Sequence, residues 1–329
     1  AAWAENMGFR PLILLVGGKW READAVLQQD GQPTNRLEVI LRYLRAPTTS
    51  AHLVFLDDDA LTSATLSQTA RLFASLASGV EPNDYILTSD ADLMPLSKPH
   101  FNTDRIWDER VAAMHVFNPF CCNPLVNDDK EGVVLGGNRS FHYEPGMTIE
   151  EDKRLLHISV MFVGAYAKTW HQVMGFTPET IAAARTSPNV VLETASAFLD
   201  KDLGKEARNT DPHYNPKDQK DDMDTWYYDQ RLLSRQINQW SGFPNQCELV
   251  SRAADAGSYN QDRLDRELWD WRGDLSPFID AHMPQPGFWE ENWGLVRPVF
   301  RKALSHRADW IDEYKAKWDE VGDPDSLWG

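Results

Sequence analysis

The first two-thirds of the chain alternate between strand-like and helix-like segments, and this alternation restricts the possible folds more than any other feature of the sequence. Short apolar runs, such as LILLV at 12–16 and HLVFL at 52–56, predict buried strands. Residues 34–44 and 62–76 instead carry apolar side chains at helical spacing. This alternation is typical of an α/β domain, in which right-handed crossovers connect a mostly parallel sheet flanked by helices.

The last third of the chain differs in composition, because nine of the 13 tryptophans lie from Trp226 onward. Residues 278–298 contain Pro and Gly and predict an irregular stretch, whereas residues 298–318 predict an amphipathic helix. No linker-like segment separates this part from the rest. We therefore expect one compact domain, with a core at 1–245 and a Trp-rich, mainly helical or irregular C-terminal extension at 246–329.

The charge of the chain disfavours two classes of partner. There are 50 acidic residues and 33 Lys and Arg, which gives a formal net charge of −17. Nucleic acids and anionic membrane surfaces both bind to basic protein faces, so neither is an expected partner. No apolar run approaches the roughly 20 residues of a membrane helix, so no membrane segment is expected within this chain.

Three predicted strands end in polar or glycine-containing tips. These tips are Gly17-Gly18-Lys19, Asp57-Asp58-Asp59 and Asp90-Ala91-Asp92. Because the carboxyl ends of parallel strands meet at one edge of a sheet, where α/β proteins bind their ligands, we expect the three tips to share one site.

The third tip carries two carboxylates spaced i, i+2. Hard divalent cations prefer carboxylate oxygens, and Mg²⁺ keeps coordination positions for phosphate oxygens. An acidic protein needs such a cation to bind an anionic nucleotide, because its own charge repels the ligand. Asp90 and Asp92 therefore predict a cation site for a diphosphate. The alternative is that Asp90 caps a turn and Asp92 is solvated.

Residues 85–95 (YILTSDADLMP) resemble the DxD motif of the GT-A fold nucleotide-sugar glycosyltransferases. The elements before this motif come in a similar order, namely the strands PLILLVG and HLVFLDDD and then a helix with Arg71. The resemblance covers about residues 11–240 in element order, and only the short motifs carry it residue by residue. It implies a GT-A-like, Rossmann-like fold with a nucleotide-binding half at about 1–100 and an acceptor half at about 101–245.

The same resemblance implies a donor, a cofactor and a set of binding residues. The donor would be a UDP- or GDP-sugar, the cation Mn²⁺ or Mg²⁺, and the acceptor a glycan or glycoconjugate. Asp92 would coordinate the cation together with His282, and Asp90 would bind the ribose or a metal-bound water. The residues expected around the donor are Gly17, Gly18, Lys19, Asp57, Arg71, Asp90 and Gly164.

Residues 224–233 (DTWYYDQRLL) resemble the acidic helix that supplies the catalytic base in inverting members of these enzymes. Asp229 fits that motif best, and Asp224 fits the start of a helix. A carboxylate in this position would remove the acceptor proton, which favours inversion. Trp289 and Trp293 would stack on the acceptor sugar. Each assignment has an ordinary structural alternative, such as a solvated helix charge, a surface histidine, a turn glycine or a core tryptophan.

Two other functions stay open at this point. A nucleotidyltransferase of sugar phosphates shares the half-fold and the metal carboxylates, but Gly17-Gly18-Lys19 is only a fragment of its glycine-rich loop. A non-catalytic carbohydrate-binding protein would use the Trp-rich part alone. The chain has no glycine-rich loop of P-loop kinases or Rossmann dehydrogenases, and Leu93-Met94-Pro95 after the acidic pair does not fit a phosphatase.

The sequence gives conflicting indications of the cellular compartment. Cys121, Cys122 and Cys247 form no disulfide framework, which suits a reducing cytoplasm. The glycosylation sequon at 138–140 and the absence of an initial Met suit a trimmed, Golgi-lumen type catalytic domain.

Overall fold

Nine strands and twelve α-helices lie in the part of the chain that the computed structural model describes, which is residues 2–56, 64–102, 106–108, 112–117, 160–203, 228–243, 245–250, 262–269, 271–284 and 286–321. The strands are β1 (Leu12–Val16), β2 (His52–Leu56), β3 (Tyr85–Ser89), β4 (Leu93–Pro95), β5 (Met114–Phe117), β6 (Phe162–Tyr166), β7 (Cys247–Val250), β8 (Arg263–Leu264) and β9 (Asp280–His282). The helices are α1 (Ala2–Glu5), α2 (Gly18–Asp30), α3 (Arg36–Arg45), α4 (Ala64–Ala70), α5 (Lys98–Phe101), α6 (Ala167–Met174), α7 (Pro178–Ala184), α8 (Asn189–Leu203), α9 (Tyr228–Gln239), α10 (Pro286–Glu291), α11 (Trp293–Ala303) and α12 (Ala308–Val321). Three 3₁₀ helices cover Arg71–Leu76, Arg266–Leu268 and Ser305–Arg307.

The strands form three small sheets. β1 and β2 pair in parallel, with Leu12 opposite His52. A four-stranded sheet has the order β3-β6-β5-β7, and a three-stranded sheet has the order β4-β9-β8. In the four-stranded sheet β6 is antiparallel to β3 and to β5, whereas β5 and β7 are parallel. The fold is therefore mixed α/β.

The mostly parallel sheet expected from the sequence is not what the described strands form. Three of their six pairings are parallel and three are antiparallel. Residue periodicity distinguishes a strand from a helix, but it carries no information on strand direction. The reversal of β6 is set by tertiary packing, because β6 fills the space between two strands that run the other way.

Local sequence signals place several helices as expected. Asn35 caps α3 by accepting a hydrogen bond from the Glu38 backbone, and the Glu38 carboxylate accepts one from the Thr34 backbone. The arrangement differs from a capping box in that Glu38 accepts from Thr34, the residue before the cap, and not from the Asn35 backbone. The helical region at 178–203 is interrupted at Ser187-Pro188, as the sequence predicts, and forms α7 and α8.

The largest apolar core lies between the β1–β2 and four-stranded sheets and the helices α4, α6, α8 and α9. Its buried members include Leu56, Phe73, Val163, Trp170 and Leu233. Burial of such side chains contributes roughly 1.5–3 kcal/mol each. Because Arg71–Leu76 and the start of α9 belong to this core, the polar side chains at their ends are held by rigid elements.

The C-terminal region is more regular than the sequence indicates. The stretch expected to be irregular at 278–298 contains β9 and α10, and the single helix expected at 298–318 is instead α11 and α12 with a 3₁₀ turn between them. Within helices, proline is most common at the first position, but Pro298 lies in the interior of α11. The buried side chains of Val296 and Val299 flank Pro298 and hold α11 together across the lost backbone hydrogen bond.

Residues 246–329, expected as a C-terminal extension, contribute strands and a helix that pack directly on the rest of the fold. β7 is an edge of the four-stranded sheet, and β9 pairs with β4. α12 packs on α3 through Tyr43, whose ring meets Trp310 and Tyr314 edge-on at centroid distances of 5.0 and 4.9 Å. Residues far apart in the sequence are therefore brought to the turn between β3 and β4.

Within the described residues, the structure contains no helix with the length and apolarity required to cross a membrane.

Candidate functional site

The turn between β3 and β4 carries the acidic pair Asp90 and Asp92. The turn is closed by a hydrogen bond from the Leu93 backbone to the Asp90 carbonyl at 3.2 Å, and Ser89 Oγ donates to the same carbonyl at 2.9 Å. β4 then pairs with β9, which places Leu93 opposite His282. The strand pairing therefore brings His282 next to Asp92, although 190 positions separate them in the sequence.

His282 lies between two carboxylates. Its Nε2 is 3.2 Å from Asp92 Oδ2, and its Nδ1 is 3.1 Å from Asp265 Oδ1. Burial opposes a charge on the imidazole, but hydrogen bonds to the two carboxylates raise the pKa of His282 above its ordinary value. The hydrogen bond from His282 in turn lowers the pKa of Asp265 to about 2. Because Asp265 occupies Nδ1, the other ring nitrogen is directed at Asp92.

Arg266 contacts the same oxygen of Asp92. Its Nη2 is 2.5 Å from Asp92 Oδ2, and the two side chains are 38% and 42% exposed. Burial would raise the pKa of Asp92, but the hydrogen bond from His282 and the charge of Arg266 lower it. The Nε of Arg266 is buried and has no hydrogen-bond partner among the described residues.

Arg71 joins the acidic turn to the start of α9. It is the first residue of a 3₁₀ helix, and its two Nη atoms donate to Asp90 and to Asp229. Asp229 lies in the first turn of α9, is buried, and accepts a second hydrogen bond from the Gln230 backbone at 2.7 Å. Burial raises the pKa of Asp229, with Arg71 acting in the opposite direction. Burial also opposes the charge of Arg71, but Asp229 and Asp90 raise the pKa of that guanidinium.

A buried ion pair fixes the strands that carry Asp265, Arg266 and His282. Arg263 on β8 donates from Nε to Asp280 Oδ1 at 2.7 Å and from Nη2 to Oδ2 at 3.2 Å, and Asp280 lies opposite it on β9. Neither side chain has any exposed area. Each strand leads within two or three residues into the site, so this pair sets the relative position of the site residues.

The structure brings together part of the metal site expected from the sequence. Asp92 and His282 are in contact, whereas Asp90 is turned to Arg71. No group of three or more His, Cys, Asp or Glu side chains in the described part of the chain is arranged to hold a metal ion. Asp92 and His282 would therefore supply two ligands to a cation, and the remaining ligands would be oxygens of a bound nucleotide or of water.

The residues expected to bind the nucleotide sugar do not all lie in one place in the structure. Gly17 has a φ of +112° and directly precedes α2, which Gly18 begins. Lys19 is exposed on α2 and makes no hydrogen bond or ion pair with another described residue. Arg71 bonds to the acidic turn, and the donor-binding role of Lys19 stays a prediction. Asp57 and Asp224 lie outside the described residues.

Gly164 lies inside β6, opposite Leu87 and His115, and is therefore not a turn glycine. A Cβ at this position would lie 2.7 Å from Cζ of Tyr85. The absence of a side chain is therefore explained by the Tyr85 ring, and the role of Gly164 in donor binding stays a prediction.

Trp289 and Trp293 pack in an aromatic cluster of the C-terminal helices. Their ring centroids are 6.1 Å apart, and Trp318 lies 5.7 Å from Trp289. Phe300 lies 6.0 Å from Trp293, and Lys315 Nζ is 5.7 Å from the same ring. Both tryptophans are half-buried, so much of their ring surface is occupied by neighbours.

Sequence reasoning missed Asp265 and Arg266. They follow a strand of two residues, which is too short to produce a periodic pattern. The available signal is the segment RLDR at 263–266, in which buried Arg263 and Leu264 precede the two site residues.

No family model matches this sequence, and the searches of curated proteins and of solved structures also found no match.

Proposed function

We propose that this chain is a metal-dependent glycosyltransferase of GT-A type, which moves a sugar from a nucleoside-diphosphate sugar to a hydroxyl of a glycan or glycoconjugate. The observation that carries the proposal is the contact between Asp92 and His282 at the turn after β3. The proposal rests on this geometry and on the resemblance of residues 85–95 to the DxD motif.

The donor set fits a divalent cation. His282 bridges Asp265 and Asp92 at 3.1 and 3.2 Å, and its hydrogen bonds to the two carboxylates raise its pKa, which favours a proton on both ring nitrogens. A divalent cation would replace the Nε2 proton between the imidazole and Asp92 Oδ2. A carboxylate that orients a ligating histidine in this way is a common feature of metal sites. Mn²⁺ accepts oxygen and imidazole ligands, so Asp92 and His282 would hold it.

When bound, the cation supplies positive charge for the leaving diphosphate. The protein residues supply the remaining charge and orientation. Arg71 partly neutralises Asp90 and Asp229, and it joins the acidic turn to the start of α9. This neutralisation is needed because a chain with a net charge of −17 otherwise repels a nucleotide.

Asp229 is the proposed base that accepts the proton of the acceptor hydroxyl. Its pKa is raised by burial, which moves it toward the range in which a carboxylate is an effective base. The rigid start of α9 fixes its carboxylate, and removal of the acceptor proton by a protein carboxylate favours inversion at the sugar.

The test is calorimetric titration of the full chain with UDP and with GDP, with and without Mn²⁺. Asp92→Asn and His282→Gln are the test variants, and Asp274→Asn is the control, because Asp274 is an exposed turn aspartate bonded to Ser276. We expect one nucleotide to bind only with Mn²⁺, and to bind at least about tenfold more weakly to either test variant.

Two outcomes contradict the proposal. The first is no binding of either nucleotide by a folded protein, which rejects UDP- and GDP-sugars as donors. The second is binding that is independent of Mn²⁺ and unchanged by Asp92→Asn. A further assay separates the neighbouring enzyme class, since turnover of a nucleoside triphosphate with a sugar 1-phosphate would identify a nucleotidyltransferase instead.

A further inference from the structure

We propose that Arg266 is an exchangeable counter-ion of the acidic turn, which neutralises Asp92 while the cation is absent and transfers its guanidinium to the diphosphate of the nucleotide sugar when the cation binds. This inference rests on the proposed function, and it assigns to that site a residue that the sequence did not indicate.

The first support is that Arg266 and His282 meet the same carboxylate oxygen. Asp92 Oδ2 is 2.5 Å from Arg266 Nη2 and 3.2 Å from His282 Nε2. A cation held by Asp92 and His282 would share this oxygen with a second positive charge. Because like charges so close together repel, Arg266 must give up this contact when the cation binds.

The second support is that the guanidinium of Arg266 is weakly held. A guanidinium carries five N–H donors, and Arg266 uses one of them on Asp92, while its buried Nε, like that of Arg71, has no partner in the described residues. Arg71 bonds two carboxylates, and Arg263 forms a bidentate pair with no exposed area. Of these three arginines, Arg266 has the lowest cost of moving.

The third support is that the backbone of Arg266 is anchored while its side chain is not. Asp265 caps the 3₁₀ helix by accepting a hydrogen bond from the Arg266 backbone at 2.8 Å, and it also holds His282 Nδ1. The Leu268 backbone closes the turn on the Asp265 carbonyl at 2.9 Å. The side chain therefore extends from a backbone that is fixed next to His282, and its Nη2 lies beside Asp92.

Phosphate oxygens are the ligands that suit the released guanidinium best. An arginine presents its donors in a planar fork that matches two phosphate oxygens, and these bonds are stronger than bonds to neutral acceptors. The exchange would also keep the local charge balanced, because the cation and the diphosphate arrive together at a site where Arg266 has already compensated Asp92.

The exchange predicts that a single substitution of Arg266 raises the affinity for Mn²⁺ and lowers the affinity for the nucleotide. Arg266→Gln removes the charge and keeps a polar side chain. Without nucleotide, the variant should bind Mn²⁺ about threefold or more tightly than the unchanged protein, because the competing charge is gone. With saturating Mn²⁺, it should bind UDP or GDP about tenfold or more weakly, because a charged hydrogen bond to phosphate is lost.

The experiment measures free Mn²⁺ by electron paramagnetic resonance during titration of the full chain, followed by nucleotide calorimetry at saturating Mn²⁺. Arg266→Lys keeps the charge and should retain a Mn²⁺ affinity near that of the unchanged protein. Arg297→Gln is the matched control, because Arg297 and Asp312 form an ion pair of similar exposure on the C-terminal helices. Circular dichroism verifies that each variant is folded.

Unchanged or weaker Mn²⁺ binding by folded Arg266→Gln overturns the counter-ion role. Unchanged nucleotide affinity overturns the transfer to the diphosphate. If the unchanged protein binds Mn²⁺ but neither nucleotide, the proposed function fails for these donors, while tighter Mn²⁺ binding by Arg266→Gln still supports the counter-ion role. If no form binds Mn²⁺, both proposals are rejected.

Discussion

Arg263 and Asp280 form a bidentate ion pair in which neither side chain is exposed, and this pair joins the two strands that lead into the candidate site. Asp265 and Arg266 follow β8 directly, and His282 lies two residues after Asp280. The positions of three site residues therefore depend on one buried contact outside the site.

Breaking this pair should destabilise the whole protein. Asp280→Asn leaves the Arg263 charge buried without its full partner, so we expect a loss of about 3–5 kcal/mol in the free energy of unfolding, measured with urea. Asp312→Asn removes a carboxylate from the pair with Arg297 at the surface, where solvent weakens such interactions, and it should cost only a small fraction of that loss. Equal losses in the two variants would contradict the structural role assigned to Arg263 and Asp280.

Asp229→Asn should separate binding from transfer. If Asp229 accepts the acceptor proton, the variant should transfer sugar about 10²–10⁴-fold more slowly, because general base catalysis contributes roughly that factor. Its affinity for Mn²⁺ should stay close to that of the unchanged protein, because Asp229 bonds to Arg71 and not to the proposed cation ligands Asp92 and His282. Asp309→Asn is the control, since Asp309 is also in the first turn of a helix but is exposed. A full transfer rate in Asp229→Asn would exclude the base assignment.

Stability should also depend on pH through Asp229. Because burial raises the folded-state pKa of Asp229, its contribution to stability is complete below the unfolded pKa of about 3.9 and is lost as the pH rises through the folded value. Asparagine resembles the protonated carboxyl. As the pH rises from 4 to neutrality, the free energy of unfolding of Asp229→Asn should therefore increase relative to that of the unchanged protein. Urea unfolding at several pH values gives this difference, and a relative loss over that range would have the wrong sign.

Gly164→Ala tests the packing of Tyr85 against β6. The new Cβ would meet the Tyr85 ring, so we expect a loss of about 1–3 kcal/mol in the free energy of unfolding. In a Tyr85→Ala background the same substitution should cost much less, because the ring is gone. A double-mutant cycle by urea unfolding measures this coupling. If Gly164 instead served the donor, its substitution would weaken nucleotide binding equally in both backgrounds.

The sequence predicts those parts of the fold that depend on local patterns. β1, β2 and the interruption between α7 and α8 follow from short-range periodicity and from a proline, so they lie where expected. The direction of β6 and the helical conformation around Pro298 depend on packing partners elsewhere in the chain. They could not be predicted from local patterns.

The candidate site shows the same division. Asp90 and Asp92 are visible in the sequence because two carboxylates follow an apolar strand. Asp265 and Arg266 are not visible, since the strand before them has two residues and becomes a strand only through its pairing with β9. The partner of Arg71 at the start of α9 is 158 positions away, and no spacing rule connects them.

The separation of 190 positions between Asp92 and His282 has a consequence for biosynthesis. During translation the acidic turn and Arg71 are made well before β9, so a nascent chain holds half of the proposed cation site. Non-local pairings also form more slowly than local contacts, which places assembly of the site late in folding. Under the proposed function, the chain would bind a cation only after β9 is in place, and any fragment that ends before β9 would keep the acidic motif without the proposed activity.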